Sequence, residues 1–370
     1  MKIEKIALRE ISMQLKQPFE TSFGITHHRR IVLVELSADG ISGWGEVTAA
    51  EGPYYNSETT DTAWHVICDF LAPAIIGKCF DSAETLAAVM APVRGHEMAK
   101  AALESAYWDA EARCRNISLP ALLGGSLQDL PSGVSLGIYN DTGLLLDRIA
   151  LELAAGYRRI KLKIKPGHDV SVVSAVRNAY PNITLTVDAN SAYTLQDVPT
   201  LMQFDEFALD YIEQPLSWNE IYQHVELQRQ LRTPICLDEC IHSLRDVRAA
   251  VEMRACGVIN IKLGRVSGHT EARKIQEFCL QKRVPVWCGG MLEAGIGRAH
   301  NIAMSSLPGF VMPGDVSASG RYWDEDIIEP EVTVSSQGTI TVPQGPGIGF
   351  EVKRSLIDKL TVRSREFLPG

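Results

Sequence analysis

None of the eight cysteines forms a Cys-x-x-Cys pair with another, which removes dithiol redox chemistry and the common zinc frameworks. Cys68, Cys79, Cys114, Cys236, Cys240, Cys256, Cys279 and Cys288 are scattered, most of them in apolar segments, and read as reduced thiols of a cytoplasmic protein. A block of lysine or arginine is also missing. With 36 basic against 45 acidic residues the net charge is −9, so no nucleic-acid partner is expected. No apolar run reaches the ~20 residues that span a bilayer. The opening "MKIEKIALREISMQLK" carries charge too often for a signal segment, so no membrane association is expected. What remains is an ordinary globular composition, 45% apolar and 22% charged, over 370 residues. That length suits one large domain with a smaller one.

The first third reads as α+β. "RIVLVELS" and "ISGWGEV" flank a hairpin turn at Asp39-Gly40. A helical texture follows, with "MAKAALESAYWDAEARCR" its clearest amphipathic run, stopping near Gly124-Gly125. After Pro131 strands alternate with helices. "VSLGIY", "RIKLKI", "ITLTVDA", "FALDYIE", "TPICLDE", "VINIKLG", "VPVWCGG" and "FVMPGDV" read as eight parallel strands, with "LLLDRIALELAAG" and "HTEARKIQEFCLQK" among the helices between them. Eight such units predict a closed (β/α)8 TIM barrel over residues 128–325. An α+β unit over 1–127 precedes it. The tail, 326–370, with strands "EVTVSS" and "TITVPQ", is expected to pack back on that first unit.

The ends of five consecutive strands carry ionisable residues at one period. Lys163, Asp188, Glu213, Asp238 and Lys262 follow each other at intervals of 25, 25, 25 and 24 residues. In a barrel the C-terminal strand ends form one face, where active sites lie. A single carboxylate at a strand end is more often a helix cap or a turn residue. Three at equal spacing, converging from adjacent strands, repel one another unless a cation joins them. An all-oxygen set with no histidine or cysteine favours a hard divalent ion, Mg²⁺ first and Mn²⁺ as a substitute.

Lys161 and Lys163 alternate with Ile160, Leu162 and Ile164 and so share one strand face. An edge strand with solvated lysines is the plain reading of that pattern. The strand-end period points elsewhere. Strands two and six are four apart in a ring of eight, so Lys163 and Lys262 would face each other across the barrel mouth. A substrate carboxylate on the metal would place its α-carbon between them, with the enediolate formed on proton loss stabilised electrostatically. Lys161 is expected to disfavour the protonated form of Lys163. Lys165, at the strand's exit, is expected to be solvated.

The blocks "IKLKIKPG", "VDANSAY", "YIEQPL", "LDECIHS", "INIKLGRVSGHTEA", "CGGMLEAGIGRAHN" and "PGDVSASGRYW", in order and at barrel spacing, resemble the enolase superfamily. Within it they are most similar to the muconate-lactonizing-enzyme subgroup and its o-succinylbenzoate synthase/N-succinylamino acid racemase family. The resemblance spans essentially the whole chain and makes residues 1–127 a capping domain with an "FETSFG" loop. It implies that Asp188, Glu213 and Asp238 bind Mg²⁺ and that Lys163 and Lys262 are the acid/base pair, with Lys161 in support. Ser135 and Asn190 fall at substrate-contact positions, and Gly290, Met291 and Leu292 where backbone groups hold a succinyl tail. Glu239 and Arg265 would act on these groups from behind, although Arg265 could equally be a surface charge. Phe19, Phe23, Tyr54 and Tyr55 are candidates for an apolar lid or for plain core packing.

The resemblance implies a small-molecule carboxylate substrate and either dehydration to o-succinylbenzoate in menaquinone synthesis, racemisation of N-succinylamino acids, or both, in a homo-oligomer. Muconate cycloisomerases and dipeptide epimerases are the nearest alternatives. The latter carry Asp-x-Asp where this chain has Asp315-Val316-Ser317. A non-catalytic binding barrel is the alternative of another class.

Overall fold

A computed structural model describes all 370 residues. The chain opens with an antiparallel meander, β1 (Ile3–Thr21), β2 (Gly24–Ala38) and β3 (Ile41–Val47). Asp39 and Gly40 both take positive φ, 47° and 76°, as a two-residue hairpin turn of this hand requires. β3 then packs on the helix Glu97–Cys114. The approach is unusually close because Gly43 and Gly45 face Ala102, Ala106 and Ala110, and a Cβ on either glycine would overlap the helix backbone. That helix is not amphipathic as expected. It is buried from Met98 to Ala112, with the strands on one side and the barrel helices on the other.

β4 (Asp129–Pro131) leads into seven parallel strands: β5 (Gly133–Leu136), β6 (Arg159–Lys163), β7 (Thr184–Asp188), β8 (Ile212–Glu213), β9 (Ile235–Leu237), β10 (Val258–Ile261) and β11 (Val286–Cys288). They pair in chain order as one curled sheet, each joined to the next through helical segments. The eighth strand, expected at "FVMPGDV", does not form. Pro313 has no N–H to give, so a regular ladder cannot run through that segment. It bridges both sheet edges instead. Phe310 pairs with Val286 and Gly314 with Ser132, while Asp315 N donates to Cys288 O and Gly133 N to Gly314 O, both at 2.8 Å. The ring therefore closes through an irregular eighth segment.

The tail contributes β12 (Ile328–Glu329), β13 (Thr339–Thr341), β14 (Glu351–Val352) and β15 (Thr361–Phe367). β13, the core of "TITVPQ", pairs with β4. "EVTVSS" is not a strand: Val332 O accepts from Ser319 N and Val332 N donates to the Ser319 hydroxyl, so neither group enters a ladder. β15, absent from the sequence reading, adds antiparallel to β1.

Two buried glutamates join the N-terminal layer to the barrel. Glu46 on β3 accepts from Ala294 N (2.9 Å) and Gly297 N (2.7 Å) at the start of helix Gly295–Ser305. Glu104 accepts from His269 N and Thr270 N, both 2.8 Å, at the start of helix His269–Lys282, and from Trp108 Nε1 at 2.7 Å. Neither helix carries its own side-chain cap. The free N–H groups that every helix start leaves are thus satisfied from the other layer. Burial pushes Glu46 up to about 8 and Glu104 up to about 7, against the pull of these donors towards the charged form.

Glu104→Ala leaves several buried donors unpaired, so a loss of at least about 2 kcal/mol is expected, read as a lower urea midpoint. Glu84→Ala, which removes only an exposed pair with Arg273, is expected to change stability by less than about 0.5 kcal/mol.

Candidate active site

Parallel pairing turns the C-terminal strand ends to one side of the sheet. Register places Lys163 of β6 beside Asp188 of β7, and Asp188 beside Glu213 of β8. Asp238 and Lys262 follow directly after β9 and β10. Along β6 the alternation sends Arg159, Lys161 and Lys163 to the barrel interior and Ile160, Leu162 and Ile164 into the apolar core. All three basic residues are buried, so the solvated-edge reading of the lysines does not hold. Lys165 is partly exposed and reaches Glu20 at 3.3 Å.

Lys163 Nζ donates to Asp188 Oδ2 (2.6 Å) and Asn190 Oδ1 (2.7 Å). Asn190, at φ 43°, donates from its side-chain Nδ2 to Glu239 Oε1 at 2.9 Å and from its backbone N–H to Asp188 Oδ1 at 3.0 Å. Deeper in the barrel, Lys161 Nζ sits between Asp315 (2.6 Å), Glu213 (2.7 Å) and Asp188 (3.3 Å), 4.6 Å from the centre of the Trp287 ring. Arg159 holds the other Asp315 oxygen at 2.7 Å. Four strands away, Lys262 Nζ donates to Asp238 Oδ2 (2.8 Å) and to the Tyr55 hydroxyl (2.9 Å). Arg265 donates to Asp238, to Tyr55 (2.7 Å) and to the carbonyls of Ile241 and Asn260. Gly289 leaves the space that the Lys262 chain occupies, since a Cβ there would meet Lys262 Cε. Arg265 is fully buried, which excludes the surface role.

Four buried acids, Asp188, Glu213, Asp238 and Glu239, and the partly buried Asp315 thus share the barrel mouth with five buried bases, Arg159, Lys161, Lys163, Lys262 and Arg265. Burial opposes the charge of Lys161, yet Asp315, Glu213 and Asp188 together hold its pKa well above the usual lysine value. Its charge is met by three carboxylates. Lys262 is likewise held high, by Asp238 and Tyr55 against burial. Burial would raise Asp188 and Asp238, but their basic partners leave both below the ordinary carboxylate range. Glu213 is pushed up to about 7 by burial and by Asp188. Glu239 lies well above its usual value, through burial and the neighbouring Asp238 and Asp188.

Lys161, Lys163, Lys262, Ser135, Gly290, Leu292 and Phe19 line one pocket. Met291 does not: it packs against the apolar core, so of the three residues expected to hold a substrate tail only its neighbours reach the pocket. Tyr55 reaches in from the N-terminal layer by its hydroxyl. Phe23 and Tyr54 line a separate cavity of about 270 Å³. Arg159, Trp287 and Asn260 were not foreseen, and Asp315 was noted only for its place in Asp315-Val316-Ser317. Arg159 shares the parity of both lysines on its strand, a signal that was there to read. Asp315 sits in the irregular eighth segment, where no strand period points to it.

No three carboxylate, imidazole or thiol groups are grouped closely enough to ligate one ion. In this arrangement Lys163, Lys161, Lys262 and Arg265 sit on the oxygens an ion would need. The donor chemistry nevertheless fits a hard divalent cation. Three buried carboxylates end adjacent strands, and their mutual repulsion is already visible in the raised pKa of Glu213. Glu239 Oε2 and Ser135 Oγ are buried without any hydrogen-bond partner, two polar atoms a ligand would satisfy.

Residues 145–356 match the enolase C-terminal domain-like family, and residues 3–124 match the mandelate racemase/muconate lactonizing enzyme N-terminal domain. The chain belongs to the enolase superfamily. An o-succinylbenzoate synthase of Geobacillus stearothermophilus is 48% identical over 366 residues, covering 99% of this chain and 97% of that protein. An N-succinylamino acid racemase of Thermus thermophilus is 44% identical over 365 residues, covering 99% of each. A solved enolase-superfamily structure from Listeria innocua superposes with a TM-score of 0.96 at 40% identity, covering 100% of this chain and 99% of that one. No helix is long and apolar enough to cross a membrane.

Asp315→Asn removes the charge that Arg159 and Lys161 share, leaving two buried cations with one fewer counter-charge. A loss of about 3 kcal/mol or more in urea unfolding is expected.

Proposed function

We propose that this enolase-superfamily chain removes a proton α to a carboxylate in a Mg²⁺-dependent reaction, forming o-succinylbenzoate by dehydration, racemising N-succinylamino acids, or both. The observation that carries the reading is the pair Lys163 and Lys262, buried on strands four apart and lining one pocket. Amines on opposite sides of an α-carbon are what racemisation requires: one takes the proton and the other returns one. Dehydration needs only one of them as base, the other standing as a cation.

Asp188, Glu213 and Asp238 would hold Mg²⁺, which when bound supplies the positive charge that an enediolate's oxygens need. Mn²⁺ is its substitute. Lys163 and Lys262 each lean on a carboxylate oxygen of that set, so releasing those oxygens frees both amines to face substrate. Lys161, pinned by Asp315, remains a cation beneath the reacting centre. Asn190, tied to Lys163 and Glu239, orients the first amine. Ser135, Gly290 and Leu292 line the pocket and would contact the substrate. Ser317 stands where dipeptide epimerases carry the second Asp of Asp-x-Asp, which argues against a dipeptide substrate. The same reading takes residues 1–127 with 326–370 as a capping unit and 128–325 as the barrel, supported by the pairing of β15 with β1. The eight free thiols suit a cytoplasmic setting.

N-succinyl-phenylalanine in D₂O is expected to gain α-deuterium and to racemise, and the cyclohexadiene precursor to give aromatic product; neither event would defeat the substrate assignment. Lys163→Ala and Lys262→Ala are each expected to abolish racemisation, and wild-type racemisation in either would end the two-base scheme. Mg²⁺ at about 100 times its Kd is expected to stabilise the fold by about 2.7 kcal/mol. Glu213→Gln should lose most of that shift, and an unchanged thermal midpoint in both proteins would rule out the ion site.

A further inference from the structure

The two lysines are not held alike. Lys163 Nζ has only barrel partners, Asp188 and Asn190. Lys262 Nζ has one barrel partner, Asp238, and one from the N-terminal layer, Tyr55, which lies 207 residues earlier in the chain. The Tyr55 oxygen is fully employed. It accepts from Lys262 (2.9 Å) and from Arg265 (2.7 Å), and it donates to Asp238 Oδ2 (3.2 Å). Its ring also faces the ammonium, 4.4 Å from Lys262 Nζ to the ring centroid. Tyr55 is itself steadied by Phe23 of the β1–β2 turn, with ring centroids 6.4 Å apart.

We infer that Tyr55 is a positioning residue for Lys262 and not for Lys163, acting on that amine directly and through Arg265 and Asp238, so that this one contact governs proton transfer on one face of the substrate. The inference rests on the two-base reading above. With Asp238 turned to the ion as in the proposed function, the phenol oxygen is the remaining partner of Lys262 Nζ, and without it the amine is no longer held towards the α-carbon. A displacement on the order of 1 Å is enough to cost about a hundredfold in a proton transfer. Lys163, held by Asp188 and Asn190, is untouched by the change.

The test measures α-deuterium uptake from D₂O separately for each enantiomer of N-succinyl-phenylalanine. Lys262→Ala first identifies which enantiomer presents its α-proton to Lys262, as the one whose exchange disappears. Tyr55→Phe, which removes one oxygen and keeps the ring, is then expected to slow exchange of that enantiomer by about tenfold to a hundredfold. Exchange of the opposite enantiomer should stay within about threefold of wild type, and racemisation should fall with the slower face. The preserved face reports that the variant is folded. Equal loss on both faces would make Tyr55 a general substrate-binding or structural residue and overturn the inference, as would no loss on either. Wild-type protein that exchanges neither enantiomer would defeat the two-base reading, and the inference with it.

Discussion

A charge taken out of water must meet an opposite charge or be lost. At the barrel mouth nine buried ionisable side chains and the partly buried Asp315 pack together, and the arrangement of the site follows from pairing them. Lys161 is held by three carboxylates, Asp238 by a lysine and an arginine, and Asp315 by a lysine and an arginine. Desolvation alone would neutralise most of these groups. Their mutual fields keep Lys161 and Lys262 charged and Asp188, Asp238 and Asp315 ionised. The geometry of each side chain is therefore set by its partners as much as by its strand.

This network is supported by a rigid junction between the layers. Gly43 and Gly45 let β3 lie directly on an alanine face, and that contact fixes where Glu46 projects. Glu46 and Glu104 then terminate two barrel helices that have no cap of their own. Aligning the layers in this way is what allows a loop residue such as Tyr55 to reach a lysine from the other layer. Packing of small residues far from the chemistry thus bears on the position of an amine within it.

The parts of this molecule that obey a period were legible from sequence. The spacing of Lys163, Asp188, Glu213, Asp238 and Lys262 is one βα unit, and each residue stands at a strand end on one face. The helix His269–Lys282 is the stretch "HTEARKIQEFCLQK" read from its pattern. What failed was aperiodic or conformational. Pro313 breaks the eighth strand while leaving its apolar texture intact. β15 is polar on both faces and carries no core signal. The buried helix Glu97–Cys114 looked amphipathic because its acids, Glu104 and Asp109, are buried for capping and hydrogen bonding rather than exposed. Tyr55 gave no sign of its contact with Lys262, since the link is made by tertiary packing across two layers. The carboxylates were placed correctly along the chain, but their side-chain directions depend on which cations they face.

The pairing also constrains what the site can accept. The free space between the lining residues is about 60 Å³, well below the ~300 Å³ of a small-molecule pocket, so a substrate would have to displace some of the present side-chain pairings. A divalent cation alone would displace Lys163 and Lys262 from Asp188 and Asp238 and leave two buried ammonium groups without those partners, and an anion alone would compete with the same carboxylates, each at a high cost where water is excluded. Bound together, the cation would face the carboxylates and the lysines would face the anion. By linkage each would strengthen the binding of the other. The substrates of the proposed reaction carry the carboxylate that such an exchange needs.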